Sequence, residues 1–104
     1  MTTNTLTAFF GEVIYSYTLE DALADGILIK TGHLQPSGLP VVFTSNLFED
    51  VKGHYKDIIA KGLELLNKPD AEDSPYMKLR VIEKGKIWVI ANTEGVTFMK
   101  PEDY

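Results

Sequence analysis

Between Leu47 and Leu66 the apolar residues fall three or four positions apart: Leu47, Val51, Tyr55, Ile58, Ile59, Leu63 and Leu66. That spacing stacks them along one face of a helix, and a helix with one apolar stripe must bury it against another layer. Ser45 or Asn46 is placed to cap its start, Glu49 suits the positive end of its dipole, and Pro69 ends it. Asp57–Lys61 and Glu64–Lys68 lie four apart on the opposite face, the spacing of solvent-side ion pairs. Gly53 and Gly62 each cost about 1 kcal/mol relative to Ala inside a helix, so a short break near Gly53 is expected.

The covering layer comes from segments of strand character. Glu12–Tyr17 alternates, with Val13, Tyr15 and Tyr17 on one side. Thr18 and Asp21 then mark the start of a short helix that Gly26 stops, with Leu19, Ala22 and Leu23 as its apolar face. Ile27–Ile29 and Val41–Thr44 read as strands. The Gly32–Pro40 stretch between them reads as a loop, because Gly32, Pro36 and Gly38 punctuate it. Asp70–Pro75 reads as an exposed acidic loop. From Met77 the pattern is three antiparallel strands joined by Lys84-Gly85, a turn that wants positive φ, and by Asn92–Gly95, with Gly95 suited to a bulge. The expected fold is α+β over one domain, residues 1–104. A small mixed or antiparallel sheet ends in a three-stranded C-terminal meander and packs on one long and one short helix.

Composition then removes whole classes of function. The chain has no cysteine, which excludes disulfides, thiolate metal sites and cysteine nucleophiles. Apolar residues are 44% of the chain, enough for a core, but the longest apolar runs, such as Ile87–Ala91, are too short to span a bilayer. The opening Met1-Thr2-Thr3-Asn4-Thr5 has neither the basic nor the apolar region of a secretory leader, so a cytoplasmic location is expected. Ten basic residues, of which only Arg80 is arginine, face fifteen acidic ones. This balance argues against general nucleic-acid binding, which depends on Lys and Arg neutralising phosphates. The one local concentration of bases is Lys78, Arg80, Lys84 and Lys86 on the first hairpin, with Trp88 beside it.

The residues that could carry chemistry read as ordinary structure. Asp50 and His54 have legal ligand spacing, but no third ligand joins them, so no metal and no cofactor is expected. His33 reads as a solvated loop residue. Ser37 and Ser45 lack a nucleophile-elbow context. The carboxylate pairs Glu20/Asp21, Glu49/Asp50, Asp70/Glu72/Asp73 and Glu102/Asp103 read as helix starts and solvated surface. The aromatic residues are more informative. Trp88 and Ile90 share one face of the central hairpin strand, opposite Ile87, Val89 and Ala91, so both faces are apolar. One packs on the long helix, and the other is either covered or a partner surface.

The run Phe10-Gly11-Glu12-Val13-Ile14-Tyr15-Ser16-Tyr17-Thr18, followed by Ala22 and Ala24-Asp25-Gly26-Ile27-Leu28, resembles the opening of a family of small uncharacterised proteins carried on plasmids, phages and integrated elements. Pro40-Val41 with Thr44, and Ile87–Met99 with Pro101-Glu102-Asp103, are similar to that family's later blocks, whereas the middle of this chain departs from it in length and composition. The resemblance implies an accessory gene of a mobile element and no particular activity. Three functional readings stand at this point. The leading one is a non-enzymatic binding module acting on a protein partner. The second is a small enzyme with a site formed by Tyr15, Tyr17, Asp25 and the Gly32–Gly38 loop, and the third is a purely structural subunit.

Overall fold

The computed structural model describes residues 12–16, 28–35, 37–68, 70–71, 73–74 and 77–104. The short helix expected from Thr18 to Gly26 lies outside the described residues, as do Phe9, Phe10, Tyr17, Asp25, Glu72 and Tyr76. Six strands form one sheet: β1 (Glu12–Tyr15), β2 (Leu28–Gln35), β3 (Pro40–Thr44), β4 (Met77–Ile82), β5 (Ile87–Asn92) and β6 (Gly95–Met99). Their order is β1-β2-β3-β6-β5-β4, and β3 with β6 is the parallel pair. The parallel pair follows from the connection. After β3 the chain runs through two helices, and the returning β4-β5-β6 meander places its last strand against β3. The architecture is α+β, with a mixed sheet and a three-stranded C-terminal meander.

The stretch read as a loop over Gly32–Pro40 is mostly strand. β2 continues to Gln35 and β3 begins at Pro40, which leaves four positions between the strands. Gly32 carries the composition of a turn signal, but in the fold it serves close approach. It pairs with Tyr15, and a Cβ at this position would lie 2.3 Å from the Ile14 carbonyl oxygen. His33 is accordingly a half-buried strand residue between Ile14 and Pro40, not a solvated loop residue. Thr31, buried at the register shift in β2, donates its hydroxyl to the Val41 carbonyl at 2.9 Å.

The long helix is two helices, α1 (Ser45–Val51) and α2 (Tyr55–Leu66), broken around Gly53. The cap of α1 is Thr44, one residue before the two expected: its Oγ1 accepts from the Leu47 amide at 3.3 Å. The apolar stripe holds across the break. Leu47, Val51, Ile58, Ile59, Leu63 and Leu66 are buried and Tyr55 is half-buried. They pack with Phe48 on the inner face of the sheet, where Phe43 stacks on Phe98 at 4.8 Å. Gly62 admits that stack, since a Cβ there would come within 2.6 Å of the Phe98 ring. Ile87, Val89 and Ala91 face the helices, as their alternation requires. On the other side of β5, Ile90 is buried and Trp88 half-buried, with the Tyr104 ring 5.5 Å from the Trp88 ring. Leu28, Leu79 and Val81 remain exposed.

Candidate functional site

Charged residues collect at both ends of α2. At its C-terminal end the last carbonyls have no partner within the helix. Arg80 points inward from β4 and spends all five of its N–H groups there. Nε donates to the Leu65 carbonyl at 3.0 Å, and Nη2 to the Lys68 carbonyl at 2.8 Å. Nη1 donates to the Leu79 carbonyl at 2.9 Å, and the two terminal nitrogens grip Asp73 at 2.7 and 2.8 Å. Lys78 Nζ adds a bond to the Leu66 carbonyl at 3.1 Å. The fork of Arg80 holds the Asp73 carboxyl below its ordinary range, and Asp73 in turn holds Arg80 above its own. Two earlier expectations are thereby corrected. Lys78 and Arg80 are buried and do not form a basic patch with Lys84 and Lys86, and Asp73 is an internal anchor, not a solvated loop acid.

At the N-terminal end of α2 there is a cleft of about 570 Å³. Its floor is apolar: Leu47, Val51, Ile58, Ile87 and Pro101. Three chain reversals build its walls. One is the helix break, where His54 precedes α2. The second is the β4–β5 turn, in which Glu83, Lys84 and Gly85 have φ of 53°, 58° and 90°. The sequence indicated positive φ at Lys84-Gly85, and the turn carries it one residue further. The third is a 3-10 turn at Pro101–Asp103, lashed to the start of α1 by Asp103. Thr44 Oγ1 donates to Asp103 Oδ2 at 2.7 Å, and Asn46 Nδ2 to Oδ1 at 3.0 Å. These bonds, from Asn46 first and then Thr44, hold the Asp103 carboxyl below its ordinary range.

Most of the rim charges are committed to each other. Lys100 meets Asp50 at 2.8 Å, which raises the Lys100 ammonium. Lys61 pairs with Glu83 across elements, not with Asp57 along the helix as its spacing suggests, and lowers the Glu83 carboxyl. Lys86 on the β4–β5 turn and Glu102 on the C-terminal turn are exposed and belong to no such pair among the described residues.

Among the described residues of the enzyme reading, Tyr15 and Gly32 are paired across β1 and β2, and none lines this cleft. Tyr15 sits on β1 with its ring edge-on to Tyr55 at 6.3 Å and under the Lys56 ammonium, and burial raises its phenol. Gly32 is closed off by β1 and Gly38 is in the β2–β3 turn, while Tyr17 and Asp25 lie outside the described residues. Among the described residues, no group of three or more His, Asp or Glu is placed to hold a metal ion. No helix among them is long and apolar enough to cross a membrane. Comparison with family models, with curated proteins and with solved structures gives no match to this chain.

The sequence reading singled out Asp50 and His54 but treated them as surface, and it missed the cleft. A signal was present in Gly53, next to the lining residue His54, and in Gly85 and Pro101, breaks in regular structure that border this cleft.

Proposed function

We propose that this chain is a non-enzymatic binding module that receives an apolar side chain of a protein partner in the cleft beside the α1–α2 break. The observation that carries this reading is the contrast between floor and rim. The floor is apolar, while Lys100 with Asp50 and Lys61 with Glu83 are already satisfied within the chain. A cleft of this kind offers burial and a polar edge, the arrangement in which interface anchors gain most of their energy. It does not offer an activated nucleophile with an oriented base. A cytoplasmic accessory role on a mobile element is part of the proposal, on the N-terminal resemblance. So is the absence of general DNA affinity, because Lys78 and Arg80 are engaged inside the fold.

The chain contains no cysteine, so a single introduced thiol is unique. Lys86→Cys and Glu102→Cys, each carrying a photoactivatable label, are expected to cross-link in cells to the same protein. Glu94→Cys, on the exposed β5–β6 turn, is expected to give no such adduct. The partner is then purified and the adduct rebuilt from the two components. A partner that cross-links equally from Glu94→Cys, or fails to bind when purified, refutes the cleft as its site.

A further inference from the structure

β4 closes one end of the sheet, and no strand lies beyond it among the described residues. Its residues alternate. Lys78, Arg80 and Ile82 are buried on the side of the helices, while Met77, Leu79 and Val81 point to the other side. Leu79 and Val81 are 42% and 49% exposed. Across the ladder they lie opposite Ile90 and Trp88, and the Tyr104 ring extends this apolar strip past Trp88. The backbone of β4 is open along the same edge. Met77 turns its polar groups away from β5: its N–H donates to the Ser74 hydroxyl at 2.9 Å, and its carbonyl accepts from the Ser74 amide at 3.0 Å. Direction alternates along an antiparallel ladder, so Leu79 and Val81 also turn their N–H and carbonyl groups outward. The Leu79 carbonyl accepts from Arg80 Nη1 at 2.9 Å and keeps a second lone pair.

Proteins that stay monomeric guard such an edge against their own copies with an outward lysine, a proline or a bulge. β4 has none of these. Its register with β5 is continuous, it contains no proline, and its two cations are turned inward, Lys78 to the Leu66 carbonyl and Arg80 to Asp73. We propose that β4 pairs antiparallel with β4 of a second copy about a two-fold axis at Arg80, which joins two six-stranded sheets into one. Each Leu79 then lies opposite Val81 of the second copy. The axis follows from the hydrogen bonds. An axis at Leu79 would set Met77, whose groups Ser74 holds, against Val81. An axis at Val81 would set Leu79 against Glu83, which has φ of 53° and is no longer strand. With the axis at Arg80, the outward groups of Leu79 and Val81 satisfy each other in two reciprocal pairs. The occupant is a second copy because the strand complements itself: the apolar spacing and the open groups match, and no charge stands on the meeting face. A groove of about 340 Å³, lined by Met77, Leu79 and Val81 with Asp70 and Ser74, lies beside the edge to receive the incoming side chains.

The test is sedimentation equilibrium of the full chain from about 10 μM to about 1 mM. One short strand makes a small interface, so a Kd of about 10–100 μM is expected. Each copy carries a net charge of −5, so added salt should tighten the dimer by screening their repulsion. Amide exchange at Leu79 and Val81 should slow as concentration rises, while exchange at Lys78 and Arg80, already bonded to β5, should not depend on dimer formation.

Val81→Lys and Leu79→Lys, made separately at exposed positions, should keep the urea midpoint and weaken the dimer by about tenfold or more. The axis is read with cysteine variants, since the chain has no cysteine of its own. Leu79→Cys and Val81→Cys chains, mixed with oxidised glutathione, should give mainly the disulfide between the two variants. A chain that stays monomeric to about 1 mM overturns the proposal and leaves the edge to a strand of another protein. A dimer that both lysine variants leave intact, or that added salt weakens, is held elsewhere and overturns it too. Disulfides within each variant in equal yield would refute the axis at Arg80. Leu79 and Val81 do not line the cleft, so failure here leaves the reading of the cleft untouched.

Discussion

The two ends of helix α2 use the same kinds of residue to opposite effect. At the C-terminal end Arg80 and Lys78 are buried, and each bonds to helix carbonyls and lies beside Asp73. At the N-terminal end Lys86 and Lys100 line a cleft near water, Lys100 is paired with Asp50, and the lining residue Glu83 is paired with Lys61. A buried ionic cluster is tolerated only while every member is satisfied, so the first end can hold nothing but its own structure. An exposed rim contributes little to stability and leaves its charges available to a partner. On the proposed reading of the cleft, stability and recognition are therefore separated along about a dozen residues of one helix.

The sharpest way to break this comparison is to remove one cation at each end. Arg80→Met leaves the half-buried Asp73 with Lys78 as its nearby cation and strips the Leu65 and Lys68 carbonyls of their Arg80 donor. Removing one member of a buried ionic cluster costs about 3–5 kcal/mol, a large part of the roughly 5–15 kcal/mol that holds a domain folded. Lys86→Met is expected to change stability by no more than about 0.5 kcal/mol. Urea denaturation measures both. Equal midpoints would mean that the two ends do not differ as described.

Acid should act on the same contrast. The Arg80 fork holds the Asp73 carboxyl below the ordinary aspartate range in the folded chain, so the unfolded chain binds protons first as pH falls. Its contribution is fully present above the unfolded pKa and is lost as pH drops through the lower folded pKa. Stability is thus expected to fall below about pH 4. Asp73→Asn should flatten that part of the pH profile while lowering stability at neutral pH. A profile unchanged by the substitution would place the acid-sensitive groups elsewhere.

These two ends were not equally legible in the sequence. The apolar stripe from Leu47 to Leu66 and the meander turns follow from periodicity and turn chemistry, which are local, and they hold in the structure. The parallel pairing of β3 with β6 and the inward turn of Arg80 depend on contacts between distant residues, which no local pattern encodes. Gly32 misled for a related reason. A glycine needed for the close approach of a neighbouring strand looks, in one dimension, like a glycine needed for a turn. The alternation through Gly32, His33, Leu34 and Gln35 was the better guide. The cleft was the least legible feature, being assembled from three separate reversals of the chain.

Within the cleft end, the C-terminal turn that carries Pro101 to the floor can be loosened by one substitution. Asp103→Asn retains the side chain's shape but weakens acceptance from Thr44, Asn46 and the Lys100 amide. The expected cost is about 1 kcal/mol or less, because the site is near solvent. Amide exchange should quicken at Lys100 and Asp103 and stay unchanged at Arg80. Faster exchange at both places would show that the two ends of α2 are coupled, contrary to the separation argued above.

The smallest effect is expected at Lys84, and its sign matters more than its size. Lys84 is exposed and at φ 58°, ψ 37°, a left-handed conformation that glycine adopts without a Cβ penalty. Lys84→Gly should therefore stabilise the chain by about 0.5–1 kcal/mol, after allowing for the greater freedom glycine gives the unfolded chain. A turn kept purely for stability would gain from the change and lose nothing. A turn that serves as a fixed wall should gain stability yet bind an apolar peptide more weakly, because glycine at this position lets Gly85 and Lys86 sample other directions. Paired measurements of the denaturation midpoint and of peptide affinity in the same variant separate these outcomes. A more stable chain with undiminished affinity would show that the strained turn is not part of the recognition surface.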